Sequence, residues 1–269
     1  MEILDPHNYE YTVYTSVGER GYHFITKSEN ISPEDLFRIE SHSTLSSGDW
    51  GYTQFSRIII LIPLKSGKSA LIEVFHYGKD IVGRSRTCGV SIVLDKVALK
   101  KVKNNPFRIE MNFCNLSLEE MEKRLKNGLP IKEEPDYLSV LKEKEITKQI
   151  FSRIIHWIYH REKKLGIVLD TDGNAAEFLG ALLSVLPRSL RFNLAISSFC
   201  VNPISWNYDI SIIPKEVFKE EYPFSHKEIL LIYPGADTNN IPDTQTNNIP
   251  VAQTNNIPDT QTNNIPDTQ

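Results

Sequence analysis

Phe55-Ser56-Arg57-Ile58-Ile59-Ile60-Leu61-Ile62-Pro63-Leu64-Lys65-Ser66-Gly67-Lys68-Ser69-Ala70-Leu71-Ile72-Glu73-Val74-Phe75-His76-Tyr77 holds two apolar runs on either side of a short polar turn. The first run, Ile58 to Pro63, has the length and β-branched content of a strand. The turn Lys65-Ser66-Gly67-Lys68 supplies a glycine where the chain must reverse. Phe55–Pro63 and Ala70–Tyr77 therefore read as a hairpin. The same turn excludes a phosphate-binding loop at Ser66-Gly67-Lys68-Ser69. That loop needs a Gly five residues before its Gly-Lys pair, where Ile62 stands, and a strand-then-helix setting.

Toward the N-terminus, Tyr9–Val17 and Tyr22–Lys27 flank Gly18-Glu19-Arg20-Gly21 as a second hairpin. Ser32-Pro33-Glu34-Asp35 opens a short helix, with Ser as N-cap, Pro in the first turn and acids at the positive end of the dipole. Val90–Leu94 and Phe107–Phe113 add further expected strands. After Cys114 the period changes. Ser117-Leu118-Glu119-Glu120 begins a helix that Gly128 and Pro130 end. From 135 to 164 Leu138, Leu141, Ile146, Ile150, Ile154, Ile155 and Ile158 mark a long amphipathic helix. Gly166–Leu169 reads as a short buried strand, Ala175–Leu186 as an apolar helix stopped by Pro187, and Arg191–Phe199 and Tyr208–Ile213 as strands. The expected fold is α+β: a strand-rich N-terminal domain over 1–115 and a helix-led α/β second segment over 116–236.

The last segment, 237–269, is different. From Thr238 the octapeptide TNNIPDTQ runs four times in register, once as TNNIPVAQ. One Pro and one Ile per copy offer little apolar area against the entropy of ordering, so a disordered tail is expected. It reads either as a multivalent ligand or as an expanded repeat carried as a flexible end.

The chain has 269 residues, 40% of them hydrophobic and 24% charged, enough to bury a core. Thirty basic against 34 acidic residues give −4, too balanced for a dedicated nucleic-acid binder. No apolar run approaches the roughly 18 residues of a membrane helix. MEILDPHNYE places two acids before any apolar run and is unlike a secretory signal. Cys88, Cys114 and Cys200 are scattered, without a CxxC pair, which suggests neither a disulfide framework nor a zinc site. A cytoplasmic protein without cofactor or metal is expected.

Three stretches invite a chemical reading. Ile167-Val168-Leu169-Asp170-Thr171-Asp172-Gly173-Asn174 resembles the first motif of haloacid-dehalogenase-type phosphatases, with Asp170 as nucleophile and Asp172 as the proton-handling acid. Asn174 stands where that motif ends in Thr, and the alternative is a strand-end turn capping the helix at Ala175. Val82-Gly83-Arg84-Ser85-Arg86 resembles the entry of a forkhead-associated domain, where Arg84 would hold phosphothreonine; the family's next motif, Ser-x-x-His, does not follow. His156 and His160 have the spacing of a metal pair, but Trp157 stands where a metalloprotease needs Glu, and no third ligand suggests itself.

Tyr11-Thr12-Val13-Tyr14-Thr15-Ser16-Val17 with Gly21-Tyr22 and Ser28, Asp80 with Gly83-Arg84, and Phe178–Leu186 with Pro187 and Arg191-Phe192 follow one another in an order that resembles the N-terminal region of the bacterial GTPase-associated protein 1 family. The similarity spans roughly residues 9 to 213. The strand Gly89-Val90-Ser91-Ile92 lacks the His of that family's pattern. The resemblance implies a non-enzymatic adaptor or scaffold in a signalling or conflict system, with a protein partner of the small-GTPase class. It implies a partner contact at Asp80, Arg84 and Arg86.

Overall fold

The computed structural model describes residues 2–18, 21–44, 57–80, 83–143, 148–160, 164–169, 175–200, 207–215 and 229–232. Residues 1–235 make one compact unit; the octapeptide segment lies outside the described residues.

In chain order, β1 (Glu2–Leu4) precedes the long hairpin of β2 (Tyr9–Ser16) and β3 (Tyr22–Lys27). Helix α1 (Pro33–Ser41) follows. Ser32 caps it by accepting the Asp35 N–H at 3.2 Å, with Pro33 in the first turn as expected. β4 (Arg57–Pro63) and β5 (Ser69–Lys79) form the expected hairpin, closed by Gly67 at φ 78° and by the Leu64 N–H donating to the Lys68 carbonyl. β6 (Ser85–Leu94) returns between β5 and β2. Then come α2 (Lys96–Lys101), α3 (Leu118–Asn127), β7 (Leu129–Ile131), α4 (Tyr137–Glu143), α5 (Lys148–His160), β8 (Lys164–Leu169), α6 (Ala175–Val185), α7 (Arg188–Arg191), β9 (Ile196–Ser197), β10 (Ile210–Pro214) and β11 (Ile229–Ile232). The fold is α+β. No described helix is long and apolar enough to cross a membrane.

Among the described residues, nine strands build one sheet, in the order β11-β8-β10-β9-β4-β5-β6-β2-β3. The strand-rich and helix-led segments therefore share a sheet and are not set apart as separate units. What changes near residue 115 is the pairing. β2 to β6 pair antiparallel, while β8 pairs parallel with β10 and β11, and β10 with β9. The two parts meet where β4 pairs antiparallel with β9, at Ile60↔Ser197 and Leu61↔Ile196.

Both faces of the central strands are covered, which explains why β4 and β5 read as continuous apolar runs. Alternate residues of β5 divide between two cores. Leu71 and Phe75 pack on the face carrying the buried sides of α2, α3 and α6, where Leu99, Met121 and Phe178 sit. Ala70, Ile72 and Val74 face Ile39 of α1, together with Ile31 and Tyr208. Fully burying one such aliphatic side chain contributes about 1.5–3 kcal/mol.

Two expectations change, and a third falls partly outside the described residues. Phe107–Phe113 is a 3-10 turn, Pro106–Arg108, followed by extended chain with one bridge, Ile109↔Ile131; Pro106 withholds the N–H a strand would need there. Arg191–Phe199 is the end of α7 and then only the two-residue β9, because Arg191 turns back to the preceding helix. The long helix expected over 135–164 is represented by α4 and α5; residues 144–147 lie outside the described residues.

Candidate functional site

Asp80 and Arg84 close the β5–β6 hairpin. Asp80 donates its N–H to the Arg84 carbonyl at 2.8 Å, and the Gly83 N–H donates to the Asp80 carbonyl at 3.0 Å. One carboxylate oxygen, Oδ1, accepts the Arg84 N–H at 2.8 Å, and Oδ2 accepts Arg84 Nε at 2.7 Å. An Asp at the start of a turn does this readily, because its short side chain reaches backbone donors a few residues on. Gly83 sits at φ 83°, a left-handed conformation that costs an L-residue but not glycine. The ion pair is lopsided in exposure: the Arg84 side chain is 77% exposed and that of Asp80 14%. Ile81 and Val82 lie outside the described residues.

Arg86, expected to present charge beside Arg84, is directed to the base of the turn instead. Its Nε donates to the Tyr77 carbonyl at 2.5 Å and its Nη1 to the Ser16 carbonyl at 2.9 Å. The guanidinium carbon lies 4.8 Å from the centre of the Tyr77 ring, a cation–π distance. Arg86 thus ties β2, β5 and β6 together and is half-buried, its guanidinium spent on the two carbonyls. The physical reason is the end of the sheet: carbonyls at strand ends need donors, and a planar fork satisfies two at once.

The β2–β3 and β5–β6 reversals fall at the same end of the sheet, because β2 and β6 run antiparallel with Thr15 opposite Cys88. Tyr22, the first residue of β3, is part of that end. Its hydroxyl accepts the Thr87 N–H at 2.9 Å and its ring stacks on Tyr14 with centroids 5.9 Å apart. Tyr22 and Val17 remain exposed at 38% and 40%. One sheet end therefore carries a fixed aromatic ring, an apolar side chain and an arginine anchored at its Nε.

The other sequence candidates resolve differently. Asp170 and Asp172 lie outside the described residues. Arg84 already carries the Asp80 carboxylate, whose charge would repel a phosphothreonine brought to the same guanidinium. His156 and His160 are exposed with ring centres 4.3 Å apart, and among the described residues no three His, Cys, Asp or Glu side chains are placed to hold a metal ion. Cys88 is buried, which pushes its thiol up to about 12 and makes it a poor nucleophile. Tyr22 completes the sheet end, and its signal in the sequence is an aromatic beside a Gly-rich reversal.

No family model matches the chain. No curated protein matches it either.

Proposed function

We propose that the protein is a non-enzymatic adaptor that binds another protein through the sheet end formed by Val17, Tyr22 and Arg84. The observation that carries this reading is the combination at that end of a locked, exposed tyrosine and an exposed arginine. Aromatic and arginine side chains are the groups that most often dominate protein–protein binding energy, and rigid ones lose little entropy on docking. The ordered blocks Tyr11–Val17, Asp80 with Gly83-Arg84, and Phe178–Leu186 with Pro187 and Arg191-Phe192 support a partner of the small-GTPase class by resemblance. Asp80 acts here as a positioning residue that holds Arg84, and Arg86 as a brace under it.

The test is affinity capture with the full chain from its native host, with and without GTP, run beside Tyr22→Ala and Arg84→Glu. Nucleotide-dependent recovery of a GTPase that both variants lose supports the proposal. Recovery of no GTPase, or recovery that both variants retain, overturns it.

A further inference from the structure

A second feature lies away from the sheet end and does not depend on the adaptor reading. The C-terminal end of α2, the start of α4 and the α6–α7 junction line a hollow of about 610 Å³. Lys100, Lys103, Arg188 and Arg191 reach it, against one carboxylate among the described residues, Glu134.

The backbone places these charges with some force. Helix α2 closes with the Lys103 N–H on the Lys100 carbonyl at 3.0 Å and the Asn104 N–H on the Leu99 carbonyl at 2.7 Å. This closure needs a left-handed residue just past the helix, a position glycine usually fills. Here Lys103 fills it at φ 55°, and Asn104 follows at φ 58°. Two successive non-glycine residues thus hold a strained conformation at the rim of the hollow, the kind of strain that gathers at ligand sites.

The charges are only partly matched within the protein. Lys103 pairs with Glu134. Arg191 donates to the Leu186 and Ser184 carbonyls at 2.9 and 2.5 Å and so closes the end of α6. Its burial and the neighbouring Arg188 both act against its charge. Lys100 and Arg188 are exposed and have no hydrogen-bond or ion-pair partner among the described residues. Tyr137 adds a neutral donor. Its oxygen accepts from Asn105 Nδ2 at 3.0 Å, and that amide is fixed by donating also to the Gly180 carbonyl at 2.9 Å. With the acceptor role occupied, the Tyr137 O–H is left to donate.

We propose that this hollow binds a phosphate-bearing small molecule. Lys100 and Arg188 meet the anion, Lys103 and Arg191 frame it, and Tyr137 donates to one of its oxygens. Four cations against one carboxylate call for more than one negative charge, and guanidinium with ammonium suits phosphate oxygens. The volume is that of a small-molecule site. The cations gather in one hollow on a chain of net charge −4, a balance unlike that of a dedicated nucleic-acid binder. A second hollow, of about 500 Å³, sets Glu2, Glu110 and Glu133 against Arg108 and Lys132 and has no such excess.

Calorimetric titration of the full chain with inorganic pyrophosphate, beside orthophosphate, tests this. Pyrophosphate should bind more tightly than orthophosphate and weaken as salt is raised. A Lys100→Gln, Arg188→Gln double variant should bind about tenfold or more weakly, with its ligand-free urea midpoint unchanged, since both side chains are exposed. Lys65→Gln, an exposed lysine at the β4–β5 turn, should leave binding as it was. Three results would overturn the proposal: no binding at millimolar pyrophosphate in low salt, equal affinity in the double variant, or equal weakening by Lys65→Gln. Tighter binding of a single-stranded oligonucleotide through the same residues would overturn the small-molecule assignment.

Discussion

Replacing Glu73 by Gln isolates the cost of a carboxylate held inside the sheet. Glu73 sits in the middle of β5 and is completely buried. Its Oε2 accepts the Phe113 N–H at 2.9 Å, which fixes the extended chain after the 3-10 turn to the sheet. Its Oε1 lies 3.2 Å from Arg57 Nε without the alignment of a hydrogen bond. Burial outweighs the attraction of Arg57 and the Phe113 N–H, and raises the pKa from 4.5 to about 7. Below pH 4.5 both folded and unfolded chains keep the proton. Between the two values the unfolded chain releases it while the folded chain retains it, so stability falls as pH rises. Above pH 7 both are ionised and the loss is complete. At about 1.4 kcal/mol per unit of pKa it amounts to about 3 kcal/mol. Gln keeps an acceptor for Phe113 and carries no charge. Urea unfolding of wild type and Glu73→Gln across this range gives the difference directly, and contributions from every other titrating group cancel in it. The variant should match wild type near pH 4.5 and exceed it by about 3 kcal/mol near pH 8. A variant less stable than wild type near pH 8 would refute the reasoning, because Arg57, Arg124 and Lys132 would then outweigh burial.

Two further outcomes follow from close packing. A Cβ at Gly89 would fall 2.5 Å from the Ser43 Cβ and 2.7 Å from its carbonyl oxygen, so Gly89→Ala should destabilise the fold by about 3 kcal/mol in urea unfolding. Ser198→Ala removes the hydroxyl that accepts the Ile59 N–H at 2.8 Å and leaves that buried donor unmatched. A loss of about 1–3 kcal/mol is expected, together with faster amide exchange at Ile59.

The local elements were readable because local chemistry determined them. The Gly67 turn, the Ser32 cap and the Ser117 start of α3 each depend on residues within a few positions of one another. Ser117 and Glu120 form the reciprocal cap that such a spacing allows. The seam between β4 and β9 was not readable, since Ile60 and Ser197 meet only through tertiary packing. Pro106 was visible, but the apolar residues around it, Phe107, Ile109 and Met111, alternate like a strand although they pack as irregular chain. At the sheet end, Asp80 and Arg84 come together as neighbours in a turn, whereas the inward course of Arg86 depends on Ser16, seventy residues earlier. The basic hollow was hidden for the same reason. Lys100 and Lys103 are a visible local pair, but Arg188 and Arg191 join them only once α6 and α7 have folded back. Sequence carries turns and caps in adjacent letters; it carries meeting points only through the whole fold.

The seam has a consequence for synthesis. On a ribosome, β2 to β6 emerge and can pair while the partner of β4 is still untranslated. Until Ile196 appears, the apolar run Ile58–Ile62 presents an open edge with unpaired backbone groups. At about 5–20 residues per second the 134 residues from Ile62 to Ile196 take roughly seven to twenty-seven seconds to make. For that interval the nascent chain offers a ready template to any passing strand, and a chaperone that shields this edge would govern how much of the protein reaches its native form.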